Sequence, residues 1–371
     1  MELILSIWLN IDAVCLILHD FFQIPNPYMI LSVILWPITL IKYRWQINRY
    51  LIILLITSIA FLFSILRVGM NEYIIRYLSV FLPLSVFLCF LDKDLNLKML
   101  MSYIVFIGAI FSIDLFLFHH YISDSDYAVK MNLSYEALPF ILADVYYVLH
   151  KHVRVIERTV ATFSLIIFMI PLSNWASRGV LLSLFLYPIA IFYNSSSKGL
   201  RTLLAFLLIV LSYIVYIYPS IVIEGISRLF NRLGYNLFAL ERTKSLIQAG
   251  NVLSGRDILV AQAINELKIT PIISINISRF EIQTNNYAHN FIIQMLLDYG
   301  WLTGIVMIGI LLISLHFTLS NRSRKLNNDI RLYSLANFIP SLMFSSTYWL
   351  NRYFWLYIYL WLEGDESENT Y

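Results

Sequence analysis

A histidine and an amide stand at the head of a long apolar run in "NNYAHNFIIQMLLDYGWLTGIVMIGILLI", residues 285–313. An imidazole with a pKa near neutrality can accept a proton from a hydroxyl nucleophile, so His289 is the candidate catalytic base. Asn290, the next residue, is a candidate substrate-binding group. These residue types predict acid–base chemistry at the start of a helix.

The same run carries small residues at helical spacing. His289, Ile293, Leu296, Gly300 and Gly304 follow one another in steps of four, three, four and four, which predicts that they share one helix face. Two glycines four residues apart let a helix approach its neighbour closely. We therefore expect a single helix that holds His289 at its head and packs tightly further along.

Six arginines are candidates for binding an anionic group, because guanidinium groups hold phosphate and pyrophosphate through paired hydrogen bonds. Arg178 in "SNWASRGVLLSLF" and Arg256 in "SGRD" each precede a predicted helix, where backbone N–H groups also favour an anion. The predicted substrate-binding arginines are Arg67, Arg76, Arg279 and Arg352. The alternative for an arginine at the end of an apolar run is snorkelling, or a pair with a carboxylate.

The elements that position these residues must be membrane helices. Of the 371 residues, 59% are hydrophobic and only 13% are charged, and the mean hydropathy is +0.72. A soluble domain carries about 25% charged residues, so this chain cannot cover a surface that faces water. Apolar runs of helix-spanning length recur, and the alternating pattern of a membrane barrel is absent. The expected fold class is an all-α polytopic membrane protein.

Twelve spans are predicted, followed by an acidic tail at 363–371. They lie at 3–21, 27–41, 50–66, 73–90, 99–118, 137–150, 159–172, 178–193, 202–219, 300–319, 332–347 and 348–362. Fourteen lysines and arginines fall in the short loops of one side, and few fall in those of the other. Because basic loops stay in the cytoplasm, both termini are predicted to be cytoplasmic. The first run lacks the features of a removable signal, so we expect it to be retained.

One connection, at 220–289, is far longer than an ordinary loop and is predicted to lie on the non-cytoplasmic side. It separates nine spans at 1–219 from three at 290–362. The stretch "NVLSGRDILVAQAINELKI" has helical periodicity. A connection of this length with its own helices indicates a functional segment.

No metal or cofactor is expected. The two cysteines, Cys15 and Cys89, each lie inside an apolar run, which predicts small buried side chains. The seven histidines are scattered, and no carboxylate cluster has the spacing of metal ligands. No nucleic acid is expected among the partners.

The chain resembles the bacterial O-antigen polymerase and O-antigen ligase superfamily. The resemblance rests on "SNWASRGVLLSLF", on a single large loop that contains "SGRD", and on "AHNFIIQMLLDYGWLTG" closing that loop. It implies metal-independent transfer of a glycan from undecaprenyl pyrophosphate at the periplasmic face of the inner membrane, with His289, Arg178 and Arg256 as the catalytic residues. The implied partners are the lipid-linked oligosaccharide, as donor and acceptor, the bilayer, and a chain-length regulator protein.

Three functions stay open on the sequence. A polymerase moves the growing chain onto the next lipid-linked repeat unit, and it is favoured by Ser177–Gly179 and by the Asn-Phe after His289. A ligase moves the chain onto lipid A–core. A flippase or other transporter is a more distant alternative, because such proteins commonly contain repeated halves and none is visible here.

Overall fold

The structure is a computed structural model in which every regular element of the described residues is helical. It describes residues 1–42, 48–91, 96–119, 127–150, 153–175, 177–195, 199–200, 202–203, 207, 219–232, 238–248, 256–320, 326–344 and 347–363. The helices of the first part are α1 (Glu2–Leu9), α2 (Ile11–Phe22), α3 (Pro27–Lys42), α4 (Tyr50–Val68), α5 (Glu72–Cys89), α6 (Leu97–Asp114), α7 (Tyr127–Leu149), α8 (Val155–Trp175) and α9 (Arg178–Ser195). Those of the second part are α10 (Pro219–Arg232), α11 (Phe238–Gln248), α12 (Arg256–Ile269), α13 (Arg279–Thr284), α14 (Phe291–Ser320), α15 (Leu326–Phe344) and α16 (Arg352–Glu363). A π-helical turn (Leu115–His119) extends α6, and a 3₁₀ turn (Tyr348–Leu350) precedes α16.

Among the described residues, five helices are long and apolar enough to cross a membrane, or six if α1 and α2 form one bent span. The five are Tyr50–Val68, Glu72–Cys89, Leu97–His119, Val155–Leu172 and Phe291–Ser320. Their outward faces carry large apolar side chains such as Leu66, Ile166 and Phe317, each more than half exposed. An exposed apolar surface of this extent fits a lipid environment. The chain is therefore a helical protein embedded in a membrane.

Several predicted spans differ in detail from the observed helices. The span predicted at 3–21 is two helices that meet at an angle of 84° beside Asn10. The last two predicted spans are α15, which begins six residues earlier than predicted, and α16, which begins at Arg352. The span predicted at 202–219 lies almost wholly outside the described residues, as does the acidic tail beyond Glu363.

Contacts between connections define two ends of the bundle. At one end, Glu2 accepts a hydrogen bond from the backbone of Asn96, Glu363 accepts one from the backbone of Arg49, and His150 lies 3.6 Å from Asp329. At the other end, Tyr73 donates to Asn285 at 2.7 Å and Asn71 donates to Ser278 at 3.0 Å. The first end gathers connections that the basic-residue count predicts to be cytoplasmic. The second end gathers the long connection with the opposite ends of the helices.

The long connection contains helices, as predicted. Helix α12 covers most of the stretch in which helical periodicity was found, and it packs against α14. Helix α11 packs against α8. The connection therefore returns to the bundle at 256–290 and lies against the helix that follows it.

Gly300 breaks α14, and the prediction of a single continuous helix is wrong at this residue. Its φ of +79° and ψ of 173° are not helical. A Cβ at this position would lie 2.8 Å from the carbonyl oxygen of Pro271 and from the backbone nitrogen of Ser274, so only glycine fits here without strain. Backbone hydrogen bonds from Ser274 to Tyr299 and from Leu302 to Ile272 hold the segment that contains Ile272 and Ser274 against the break at Gly300.

Gly304 also has a different neighbour from the one expected. A Cβ here would lie 3.0 Å from the Cα of Leu296 and 3.0 Å from the carbonyl oxygen of Met295. Both residues belong to the first arm of the same helix. The glycine pair therefore folds α14 against itself, in addition to any packing against other helices.

Candidate active site

His289 lies in a tight turn before α14 and not on the helix. Its backbone is left-handed, with φ +51°. The helix begins after Asn290, whose side-chain oxygen accepts hydrogen bonds from the backbone of Ile292 at 3.0 Å and of Ile293 at 3.3 Å. Asn290 therefore caps the helix, which is the usual use of an asparagine at this position. Its predicted contact with a substrate stays a prediction.

A buried hydrogen-bond network holds this turn. The side chain of Gln294 accepts from the backbone N–H of Ala288 at 3.1 Å. Its amide nitrogen donates to Glu281 at 2.9 Å and to Asp298 at 3.1 Å. Gln294 and Asp298, four residues apart on α14, therefore interact directly. Through Gln294, the backbone of Ala288 is therefore linked to Glu281 and Asp298, whose side chains are almost completely buried.

The two carboxylates draw their other partners from distant helices. The Tyr77 hydroxyl donates to Glu281 at 2.6 Å, while the Tyr348 hydroxyl and the Trp349 indole donate to Asp298 at 2.6 and 3.1 Å. Burial raises the pKa of Glu281, against the opposing effect of these donors. Hydrogen bonds therefore connect α5 and the 3₁₀ turn, through the two carboxylates and Gln294, to the turn that contains His289.

The electrostatic surroundings of His289 lower its pKa to about 4, through burial first and then through the positive charge of Arg256. The imidazole is therefore neutral at pH 7, and its pKa is not near neutrality as the unperturbed value suggested. Its Nδ1 atom is buried and has no hydrogen-bond partner among the described residues. A neutral imidazole with an unoccupied nitrogen can accept a proton, but in the free protein it is a weak base.

Tyr287 links His289 to two arginines. The ring centroids of Tyr287 and His289 are 4.6 Å apart. Burial raises the pKa of Tyr287, and the charges of Arg76 and Arg256 oppose that rise. Arg256 begins α12, as predicted, while Arg76 comes from α5. The structure therefore brings Arg76, Arg256 and His289 into one neighbourhood from three separate parts of the sequence.

A cavity of about 490 Å³ lies at the end of the bundle that carries the long connection. Its wall combines cations, carboxylates, amides and tyrosines from α2, α5, α7, α15 and α16. The polar lining residues are Asn10, Asp12, Tyr28, Arg76, Ser79, Asn132, Tyr135, Glu136, Tyr287, Asn337, Ser341, Asn351, Arg352 and Tyr353. Two predicted arginines, Arg76 and Arg352, belong to this wall, and Tyr287 brings the neighbourhood of His289 to it.

The two wall arginines differ in their partners. Arg352 binds Asp12 through two hydrogen bonds, of 2.6 and 3.3 Å, and its side chain is only 12% exposed. Arg76 is exposed and forms no ion pair with any described carboxylate. The cavity thus offers one cation with no carboxylate partner in the described residues and one that shares its charge with a neighbour.

A second cavity of about 470 Å³ adjoins the first and shares Asp12, Tyr28, Asn132 and Glu136 with it. It lies between α2, α3 and α7. Its remaining lining is mainly apolar: Cys15, Leu16, His19, Pro27, Val129 and Leu133. The two cavities together form a polar chamber with a mainly apolar side extension.

Arg178 begins α9, as predicted from the Ser-Arg-Gly stretch. Ser177 caps this helix, because its hydroxyl accepts a hydrogen bond from the backbone N–H of Val180 at 3.3 Å. Gly179 permits a close approach of α7, since a Cβ at this position would clash with the hydroxyl oxygen of Tyr135. Arg178 is half-buried and directly precedes Gly179, which approaches Tyr135 of the cavity wall, but Arg178 is not itself part of the lining.

Two other predicted arginines lie away from the lining of the polar cavity. Arg279 pairs with Glu266 at 3.1 Å and so joins α13 to α12. Arg67 is exposed near the end of α4. Their roles in substrate binding stay predictions, and the ion pair of Arg279 has a structural role in holding α13 against α12.

The most informative residues missed by the sequence analysis are the carboxylates of the wall, Asp12 and Glu136. A signal for them existed, because an ionisable residue inside an apolar run is a candidate functional group. Asp12 lies within the first predicted span and Glu136 directly before the sixth. In the cluster around Glu281, Gln294 and Asp298 are four residues apart, but Tyr77 and Tyr348 join them from distant parts of the sequence, where no local pattern connects them.

Comparison of the chain with protein-family models, with curated proteins and with solved structures gave no match.

Proposed function

We propose that the chain is an O-antigen polymerase of the bacterial inner membrane. In this proposal it transfers a growing glycan from undecaprenyl pyrophosphate to the non-reducing end of the next lipid-linked repeat unit. The observation that carries the proposal is the polar cavity with Arg76 and Arg352 in its wall and a mainly apolar extension at its side. A chamber of this shape suits a molecule with an anionic diphosphate, a hydrophilic glycan and a lipid tail.

The proposed orientation places this chamber at the periplasmic face. The basic-residue count predicts cytoplasmic loops at the end where Glu2 meets Asn96, and the chamber lies at the other end. With the long connection then on the periplasmic side, both termini are cytoplasmic. The polyprenyl chain would lie in the apolar extension between α2, α3 and α7.

The proposed reaction forms one glycosidic bond and breaks one sugar–phosphate bond. A hydroxyl oxygen of the acceptor attacks the anomeric carbon of the donor, its proton moves to His289, and the lipid diphosphate leaves with the bonding electrons. Negative charge grows on the leaving oxygen, so fixed cations stabilise the transition state. The proposed cations are Arg256, whose charge acts on His289, and Arg76, whose charge acts on the neighbouring Tyr287. Arg178, at the start of α9, is a third.

The low pKa of His289 fits this reaction if the donor itself activates the base. In the free protein, Arg256 disfavours the imidazolium. A bound diphosphate would compensate the charge of Arg256 and would favour a proton on His289. The histidine would then become a stronger base only when the donor is in place, which would limit wasteful reaction with water.

The proposal is tested by deleting the gene and reading the lipopolysaccharide as a ladder on a gel. Loss of polymerase should leave chains capped with a single repeat unit, and the intact gene should restore the ladder. Loss of all surface O-antigen with polymerised lipid-linked chains retained would instead favour the ligase. Uptake of lipid-linked sugar into liposomes by the purified protein alone would favour the transporter.

A further inference from the structure

Three side chains with metal-ligand chemistry meet where α2 and α6 end. Asp20 lies in the last turn of α2, Asp114 ends α6, and His119 ends the π-helical turn after it. One ligand atom from each residue lies within 4.8 Å of the others. None of the three lines the polar cavity or its apolar extension. The cluster is thus separate from the candidate active site.

The π-helical turn explains why spacing in the sequence did not reveal this group. Residues five apart on a regular α-helix point in different directions, about 140° around the axis. The wider π turn, with its i→i+5 hydrogen bonds, allows Asp114 and His119 to share a side. Such turns are often associated with functional sites. Asp20 joins them from a position about ninety residues earlier in the sequence.

Asp20 and His119 are already in contact, and His19, which is not one of the three residues, holds Asp20 from its other side. The Nε2 atom of His119 lies 2.6 Å from one carboxylate oxygen of Asp20. The Nδ1 atom of His19 lies 2.8 Å from the other oxygen. A metal-binding carboxylate is commonly held in this way by a second partner. His19 therefore fixes the orientation of Asp20 toward His119.

Asp114 is the independent indication of a ligand. Its side chain is completely buried, and neither carboxylate oxygen has a hydrogen-bond partner among the described residues. The charged groups that act on it are Asp20 and His119. A buried carboxylate without partners is destabilising unless a cation or a proton compensates its charge.

Helix electrostatics also favour a cation at this place. The C-terminal end of a helix carries a partial negative charge from its last carbonyl groups. Asp20 lies in the last turn of α2, and Asp114 and His119 lie at the end of α6 and its extension. Two acidic side chains at two converging helix ends give a negative potential that a single divalent cation would offset.

We infer that Asp20, Asp114 and His119 bind a Zn²⁺ ion. One imidazole nitrogen and two carboxylate oxygens form a mixed set that suits Zn²⁺, whereas Mg²⁺ and Ca²⁺ prefer oxygen ligands alone. Water supplies the remaining position. The ion replaces the hydrogen between His119 and Asp20, with small shifts to reach metal–ligand distances of about 2.0–2.2 Å. The bound ion would hold the end of α2 against the end of α6. This inference does not depend on the proposed function.

The test measures zinc binding by the purified full chain after chelator treatment, by titration calorimetry and by metal analysis of the protein after gel filtration. The variants are Asp114→Asn and His119→Gln. The matched controls are Asp257→Asn and His316→Gln, which change exposed residues on α12 and α14. Asp114→Asn removes a buried charge and keeps the shape of the side chain, so we expect the variant to fold, and its unfolding temperature without zinc checks this.

The expected result is one Zn²⁺ per chain for the wild type and for both controls, with a higher unfolding temperature in the presence of zinc. Each of the two site variants should bind zinc about 100-fold more weakly or worse, and zinc should not raise its unfolding temperature. The inference is overturned if the wild type retains no zinc, if the site variants bind it like the controls, or if Ca²⁺ or Mg²⁺ at equal concentration displaces it.

Discussion

Gln294 holds the backbone of Ala288, the residue before the candidate base, with a hydrogen bond of 3.1 Å. The same side chain reaches Glu281 and Asp298 through its amide nitrogen. One glutamine thus connects the turn that carries His289 to a buried pair of carboxylates. The position of the candidate base depends on a network that lies beneath it.

The first prediction concerns this glutamine. Gln294→Leu removes a shared donor from two buried carboxylates and the acceptor of Ala288, so it should destabilise the protein by about 2–4 kcal/mol. It should also reduce glycan transfer, because the turn at His289 loses its support. Gln283→Leu, at an exposed position on α13, is the control. Thermal unfolding in detergent measures the difference, and equal unfolding temperatures for the two variants would contradict the role of the network.

The second prediction compares three glycines of α14. Gly300→Ala should be the most harmful, by about 1–3 kcal/mol for the left-handed backbone alone, with the clash against Pro271 in addition. Gly304→Ala should be intermediate, since its nearest neighbours are 3.0 Å from the added Cβ. Gly309→Ala should be neutral or slightly stabilising, because the added Cβ meets open space. If the three unfolding temperatures did not follow this order, the break in α14 would be in error.

The sequence was sufficient for the fold class because apolar runs of spanning length determine which segments form helices. It was not sufficient for Gly300, since a glycine that breaks a helix and a glycine that packs a helix have the same spacing. The backbone of Pro271 and Ser274 distinguishes them, and that contact is visible only in three dimensions.

The candidate site was predictable to a similar degree. Short motifs pointed to His289, Arg178 and Arg256, and two of these begin helices as expected. The partners of the arginines were not predictable. Asp12 and Arg352 are separated by 340 positions, so nothing local in the sequence connects them.

The third prediction separates a structural role of Arg352 from a role in substrate binding. Arg352→Gln removes a cation from the polar cavity, so it should weaken binding of the lipid diphosphate donor by about tenfold or more, the usual effect of losing a charged hydrogen bond. Asp12→Asn leaves the cation and removes its partner, so donor binding should be unchanged or tighter. The measurement is the KM for the donor in both variants. If both variants raised KM equally, the pair would be purely structural.

The fourth prediction concerns pH. The pKa of His289 is about 4 in the folded chain, below the value of 6.5 for a free histidine. The unfolded chain therefore takes up a proton at a higher pH than the folded chain does. The contribution of His289 to stability is fully present above about pH 6.5 and is lost as the pH falls towards 4.

The measurement for this prediction is the unfolding temperature between pH 4 and pH 8. The wild type and the His316→Asn control should lose more stability than His289→Asn below pH 6.5. Asparagine is a suitable replacement because it tolerates the left-handed backbone of this position, φ +51°. Parallel curves for wild type and His289→Asn would mean that His289 titrates with an ordinary pKa.

The most direct test of the central claim is glycan polymerisation by the purified protein in lipid nanodiscs supplied with the lipid-linked repeat unit. The account predicts long glycans with the wild type and with Arg228→Ala, whose exposed arginine pairs with Glu224 on α10. It predicts a rate lower by about 10²-fold or more for His289→Asn and for Arg256→Ala. Unchanged product lengths and rates with His289→Asn, or unpolymerised repeat units with the wild type, would contradict it.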